Sequence, residues 1–290
     1  MIKLDILVVG GTRFFGIPMI EKILENGHHV TVATRGKAHN PFVGRTNQII
    51  MDRTNPESVK SALQGKYYDV IIDKVAYASN DVKNLLENVD CGRYIQMSSC
   101  SVYLQDNSDI KEEEIFSESY NLKWNDRMDD YAEGKRQAER AALEFKNIKD
   151  CTFVRYPIVM GPNDYTGRLK FYVEHVINQK SMYIDDLNSP MSFIYESDAG
   201  EFLAYLVEHQ IEGAINGASD GAITPGQIVE LIENKVGKKA LLGVGDIAPY
   251  NGVVSELTFN TDKAKSIGYK FSNIYDWIND LLDGIIFSEN

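Results

Sequence analysis

Short apolar runs recur along the first half of the chain, and stretches with helical spacing separate them. Leu4 to Val9 is a brief run rich in branched residues, and from Ile17 to Leu24 the apolar positions repeat at helical spacing. Further strand-like runs follow at Val30–Ala33, Ile49–Met51, Val70–Ile72, Tyr94–Met97 and Thr152–Val154. Strands alternating with helices predict βαβ units: an α/β fold with a doubly wound parallel sheet covered on both faces.

After Gly161 the rhythm changes. Helices are expected around Leu169–Gln179, Ala199–Glu208 and Ile274–Ile286, with short strands and turns between them. Another begins at Thr224-Pro225-Gly226-Gln227, which joins a capping residue, a first-turn proline and a glutamine three positions on. Residues 1–160 therefore read as the main sheet domain and 161–290 as a smaller α/β region. No low-complexity linker parts them, so the two are expected to be interleaved.

Composition narrows the classes. The 290 residues are 43% hydrophobic and 25% charged, which is ordinary for a globular chain and excludes a disordered or fibrous one. Thirty basic against 42 acidic residues leave a net charge of −12. That argues against a phosphate-backbone partner, and an anionic ligand would need its own cluster of Arg or Lys. The cysteines Cys91, Cys100 and Cys151 show neither disulfide nor metal spacing, so no metal is expected and a reducing compartment is. No run reaches the ~18 apolar residues of a membrane span, and no signal-peptide pattern precedes the first strand. The expectation is a cytoplasmic protein without a membrane partner.

The first strand runs into Gly10-Gly11-Thr12-Arg13-Phe14-Phe15-Gly16 before the first helix. Glycines at such a turn permit unusual backbone angles and close approach to a phosphate, and a helix N-terminus offers free N–H groups. This points to a dinucleotide. At the end of strand two, where an acid would hold the ribose hydroxyls of NAD, stands Thr34-Arg35-Gly36-Lys37. Arg35, Arg13 and Lys37 are placed to flank a 2′-phosphate, which makes NADP the expected cofactor and NAD the second candidate; the bland reading is solvated surface charge. Asp52 and Arg53, after strand three, are placed to edge the adenine.

Tyr131 and Lys135 are four residues apart and share one helix face. A neighbouring ammonium should lower the phenol pKa and let Tyr131 exchange a proton with a substrate hydroxyl or carbonyl. The fifth strand ends in Ser98-Ser99, at the sheet edge where ligands bind. The Ser99 hydroxyl could hold the reacting oxygen there.

With these motifs in place, the chain resembles the short-chain dehydrogenase/reductase superfamily, in its extended and atypical branch of NAD(P)-dependent epimerase/dehydratase-like proteins. Nearly the whole chain shares in the likeness, from Gly10–Gly16 through Ser99, Tyr131 and Lys135 to Asn260-Thr261-Asp262-Lys263. The resemblance implies a Rossmann-type fold and hydride chemistry on a hydroxyl or carbonyl carbon, of a sugar derivative for instance. Tyr131 would be the acid/base, Lys135 its partner and a ribose ligand, and Ser99 the orienting hydroxyl. Ala76 would help bind the cofactor, and Pro157 would lie in the segment that passes under the nicotinamide. Arg13 stands where the turn usually has glycine, and Asp73-Lys74-Val75-Ala76 where the family has His-x-Ala-Ala. The glycine turn with Thr34–Lys37 is also similar to a subgroup that includes chloroplast stem-loop-binding proteins. An RNA-binding or cofactor-sensing regulator on the same fold is therefore the rival to an enzyme.

Other residues carry less. Tyr165 and Arg168 are candidates to meet an anionic or polar substrate group. His28 and His29 read as turn and surface residues, Trp124 and Trp277 as packing residues, and Asp109 with Glu112–Glu114 as a solvated loop. A homodimer is the oligomer such proteins often form.

Overall fold

In the computed structural model, which describes residues 2–145, 148 and 150–289, the alternating runs close into one seven-stranded parallel sheet. Its strands are β1 (Asp5–Val9), β2 (His29–Thr34), β3 (Asn47–Ile50), β4 (Lys66–Asp73), β5 (Val89–Met97), β6 (Asp150–Arg155) and, from the later part of the chain, β10 (Gly213–Asn216). The spatial order is β10-β6-β5-β4-β1-β2-β3, with parallel pairing throughout.

Side chains of a strand alternate between faces, and here both faces are buried. Ile6 and Val8 of β1 pack with Met19 and Ile20 of α1 (Gly16–Glu25) and Phe202 of α6 (Glu196–Glu208). Leu7 and Val9 face the other way, against Val59 of α2 (Pro56–Leu63), Val82 and Leu85 of α3 (Ser79–Leu86), and the layer that contains Ala138 of α4 (Tyr131–Ala142). The result is a Rossmann-type three-layer sandwich.

Strand order reverses between β1 and β4, because the chain winds outward to β3 before returning. The connections leaving their carboxyl ends run to opposite faces of the sheet, and a crevice opens there. Strands β4 and β5 begin earlier than their apolar cores suggested. Exposed Lys66 and Tyr67 pair with Val89 and Asp90, so ladder hydrogen bonds extend the strands beyond their hydrophobic segments.

Past residue 157 come β7 (Ile158–Met160), α5 (Arg168–Asn178), β8 (Ser181–Tyr183), β9 (Phe193–Tyr195) and α7 (Pro225–Val236). After them come β11 (Leu241–Leu242), β12 (Asp246–Ile247), α8 (Asp262–Ser266) and α9 (Ile274–Glu289). Strand β7 pairs with β9, and β8 is flanked by β11 and β12. Thr224 caps α7 reciprocally with Gln227, as its spacing predicts. Helices α5, α7 and α9 enclose their own core around Tyr172, Phe193, Ile228 and Ile278. The same stretch also serves the main sheet: β10 pairs with β6, and α6 lies on α1. A Cβ on Gly200 would sit 2.6 Å from the Phe15 oxygen, so α6 presses directly on the glycine turn.

Three expectations are corrected here. His28 is buried, not a surface residue; its Nδ1 accepts from Leu4 N–H and its Nε2 lies 3.1 Å from Glu208 Oε1. Glu112 is 6% exposed and accepts from Asn216 N–H, so the acidic loop is anchored at that point. Trp124 is exposed beside Lys83 rather than packed, whereas Trp277 is buried against Tyr195.

Candidate active site

The glycine turn explains its own sequence. Gly10 and Gly11 have φ of +89° and +96°, and a Cβ at Gly16 would lie 2.4 Å from the Gly11 oxygen. The first two glycines thus supply backbone angles, and the third lets α1 close onto the turn. Arg13 fits where a glycine is usual because the remaining left-handed residue is Phe14, with φ +53°. Among the described residues, the N–H groups of Thr12, Arg13, Phe14 and Phe15 find no acceptor in the protein. Open N–H groups at a helix start suit an anion.

Beside the turn lies a cavity of about 390 Å³. Gly10, Thr12, Arg13, Phe14 and Phe15 form one wall. Arg35, Lys37 and Asp52 form the end over β2 and β3. Arg13, Arg35 and Lys37 are exposed, and none forms an ion pair among the described residues. Asp52 accepts from Thr54 N–H and Oγ1, which holds its carboxyl below the usual range, and Arg35 and Lys37 add to the effect.

Arg53 departs from expectation. Its guanidinium is turned into the protein, bonded to Asp73 and to the Asp81 carbonyl at 2.7 Å. Burial is outweighed by the two carboxylates, so its pKa is raised. Its role is architectural: with Tyr94 Oη on Asp73 at 2.9 Å and Arg127 Nε on Asp81 at 3.0 Å, it ties down the segment after β4. Asp73 also accepts from Val75 N–H, and Asp81 from Tyr77 N–H. This network accounts for Asp73 in place of the family's histidine.

At the other end the cavity is closed by Val75, Tyr77, Met97 and Arg127, with Tyr165 at the rim. Ser99, Tyr131 and Lys135 stand just beyond this wall. Asp130 caps α4, which therefore starts at Tyr131. The Tyr131 ring lies 6.1 Å from the Tyr77 ring, and the Ser99 hydroxyl is close enough to act on the Tyr131 phenol. Lys135 is fully buried; its Nζ donates to Ala76 O at 2.8 Å and Met97 O at 2.9 Å. Ala76 thus contributes a carbonyl to the lysine, not a surface to the cavity. Pro157 lies between β6 and β7, in a segment fixed by the Cys100 N–H to Tyr156 carbonyl bond at 2.8 Å.

The proton affinities run against one expectation. Desolvation raises the Tyr131 pKa from its ordinary 10, opposed by the nearby Ser99 hydroxyl and the Arg168 guanidinium. Lys135 is 5.8 Å from the Tyr131 ring and does not set that shift; burial draws its own pKa down to about 7. A buried amine that is part neutral exerts a weaker field than the full ammonium assumed from sequence. Arg168, exposed at the start of α5, is instead the cation that acts on the phenol.

Lys74, Tyr77 and Arg127 escape a reading of the site from sequence. Their signal is position: Lys74 and Tyr77 follow a buried strand at its carboxyl end, and Arg127 stands four residues before Tyr131. Among the described residues no cluster of His, Cys, Asp or Glu could hold a metal ion. Nor is any helix of those residues long and apolar enough to cross a membrane.

Comparison with known proteins agrees with this geometry. The chain is 34% identical over 119 residues to the chloroplast stem-loop binding protein of 41 kDa b from Arabidopsis thaliana. That match covers 36% of this chain and 31% of the relative, under a third of its length. UDP-glucose 4-epimerase from Thermotoga maritima, solved with UDP-glucose, superposes with a TM-score of 0.75 at 16% identity, over 99% of this chain and 100% of that one. UDP-glucuronic acid 4-epimerase from Bacillus cereus, solved with NAD, gives 0.73 at 17% identity, over 97% and 96%. These likenesses show the fold. The model of the NAD dependent epimerase/dehydratase family matches residues 6–86 and 78–218. The chain therefore belongs to the NAD dependent epimerase/dehydratase family.

Proposed function

We propose that this protein is an NADP-preferring oxidoreductase or epimerase/dehydratase acting on a hydroxyl or carbonyl carbon of a small sugar-like molecule. The observation that carries the reading is the placement of Ser99 beside the Tyr131 phenol, with Lys135 behind it, at the end of a cavity that starts on a glycine turn.

The residues fit a dinucleotide. A Cβ would fill the cradle at Gly16, and the turn's N–H groups lack acceptors among the described residues. Arg13, Arg35 and Lys37 would hold a 2′-phosphate, with Asp52 beside the adenine end; a ribose bearing only hydroxyls would leave these cations unanswered. Bound there, the nicotinamide group supplies hydride acceptance and donation. Ser99 orients the substrate oxygen and Tyr131 passes its proton, with the phenol kept protonated by desolvation. Lys135 holds the Ala76 and Met97 carbonyls, which fixes α4 to the cavity wall. Tyr165 at the rim and Arg168 near the phenol are the groups placed to meet a substrate. An anionic substituent would suit Arg168, which has no ion pair among the described residues.

Calorimetric titration with NADPH and NADH tests the cofactor, followed by absorbance at the nicotinamide band with UDP-sugars and free sugars. Tighter binding of NADPH is expected; equal or tighter binding of NADH removes the NADP preference. An RNA stem-loop belongs in the same titration because of the plant relative's name. At a net charge of −12 it is expected not to bind.

A further inference from the structure

Lys74 is a buried cation in the cavity wall to which the proposed function gives no task. It stands just past β4, is 7% exposed, and lines the cavity. Its Nζ lies 3.5 Å from the centroid of the Phe15 ring, within the glycine turn. A Cβ on Gly10 would be 3.7 Å from Lys74 Cβ, so the lysine stem runs along the turn itself. Among the described residues the Lys74 side chain has no hydrogen bond and no ion pair.

The charged groups around it are otherwise engaged. Glu196, at the start of α6, is the carboxylate that acts on Lys74, but its two oxygens accept from Asn163 N–H and Nδ2, each at 2.9 Å. Asp73, the preceding residue, is bonded to Arg53 and Tyr94. Lys135 is fixed to two carbonyls, and Arg127 is fixed to Asp81 and the Val75 carbonyl. Arg13 is exposed, and burial pushes the Tyr77 phenol up to about 12, so it brings no charge at pH 7. An aromatic face and a distant carboxylate are weak compensation for a buried ammonium. Burial accordingly brings the Lys74 pKa down to about 7.

We infer that Lys74 is a ligand for the diphosphate of the bound dinucleotide, supplying from β4 the full positive charge that the N–H groups of the glycine turn do not provide. The inference rests on the reading of the cavity as a dinucleotide site. Lys74 is little exposed and lies against the Phe15 ring, so an anion arriving there would meet it in a poorly screened setting. An amine that is part neutral in the free protein must then take up a proton when the diphosphate binds. Lys74 occupies the second position of the segment where the family has His-x-Ala-Ala, so the device is a property of this chain's own sequence.

The test is calorimetry at pH 7.5 in two buffers of different ionisation enthalpy. The proteins are the wild type, Lys74→Met and Lys74→Arg; the probes are NADP⁺, 2′-phospho-ADP-ribose and 2′,5′-ADP. The first two probes carry the diphosphate, and the third carries a single 5′-phosphate in its place. With a pKa about 7, Lys74 should add uptake of about three quarters of a proton at pH 7.5 for the first two. Any contribution from Lys135 or the 2′-phosphate is common to all three proteins and cancels in the difference. Lys74→Met should abolish that increment and weaken both diphosphate ligands about tenfold or more, with little effect on 2′,5′-ADP. Lys74→Arg, permanently charged, should restore affinity without the uptake. Equal affinity and equal uptake in wild type and Lys74→Met overturn the inference. So does a Lys74 effect confined to NADP⁺, which would assign the lysine to the nicotinamide end. Failure of all three probes to bind the folded wild type overturns the dinucleotide reading itself, and the inference with it.

Discussion

Glu139 and Arg155 form an ion pair that no water reaches. Arg155 Nη2 lies 2.8 Å from Glu139 Oε2 and Nε 3.1 Å from Oε1, and both side chains have no exposed surface. Glu139 is the third member of a series with Tyr131 and Lys135, spaced four apart on α4. It also accepts from Ser98, the neighbour of Ser99, and from Ser117 at 2.7 Å. One carboxylate thus joins the helix bearing the tyrosine to the strand end bearing the serine.

Breaking that pair should therefore cost both stability and geometry. Glu139→Ala leaves the Arg155 charge buried without its partner, and a loss of about 3–5 kcal/mol is expected in urea unfolding. Replacing both partners by Leu and Met should recover most of the stability while activity stays low, because Ser98 then loses its anchor. A single substitution that leaves unfolding unchanged would contradict this account.

Tyr131→Phe removes the proton but keeps the ring against Tyr77. Turnover should fall by about 10²–10⁴-fold, while NADPH affinity in a fluorescence titration stays close to that of the wild type. Undiminished turnover would take Tyr131 out of the mechanism.

Arg35→Ala addresses the cofactor's phosphate. Removing one charge-assisted hydrogen bond should weaken NADP⁺ binding by about 1.5–3 kcal/mol and hardly change NAD⁺ binding. Equal weakening of both cofactors would mean that Arg35 meets something other than the 2′-phosphate.

Gly16→Ala places a methyl 2.4 Å from the Gly11 oxygen. The backbone has to separate, so a loss of at least about 2 kcal/mol is expected in thermal unfolding, together with loss of dinucleotide binding. A variant with unaltered melting and binding would show that the turn tolerates a wider spacing.

Stability should depend on pH through Lys135. The unfolded chain keeps this lysine protonated up to about 10.5, whereas the folded one releases the proton near 7. Between those values the unfolded state binds more protons, so stability rises with pH. Below 7 the cost of burying the charge is felt in full. The stability of wild type relative to Lys135→Met should therefore improve from pH 6 to pH 9, with a limiting slope of about 1.4 kcal/mol per pH unit. A flat difference would place the folded pKa outside this window.

The layered fold was legible because its signal is local. A β1 buried on both faces must be apolar, and from Ile6 to Val9 it is; Gly10, Gly11 and Gly16 mark the turn by chemistry no other residue offers. The spacing of Tyr131 and Lys135 was equally plain. What spacing could not convey was desolvation. It made Lys135 a strong cation beside the phenol, whereas complete burial removes much of that charge. Nor could it show that Arg53, adjacent to Asp52, turns inward to carboxylates 20 and 28 positions away. His28 was misplaced for the same reason: its partner Glu208 is 180 residues distant. Partners so remote leave no periodic trace.

Strand β10 and helix α6 complete the first sheet from residues beyond 195. Until they emerge from a ribosome, β6 presents an open edge and α1 an uncovered apolar side. Such surfaces invite pairing with other chains. A nascent chain stopped near residue 160 should consequently behave as a client for chaperones rather than as a finished nucleotide-binding module. Cofactor capture would then be a late event in synthesis, after the end of the chain has docked onto its beginning.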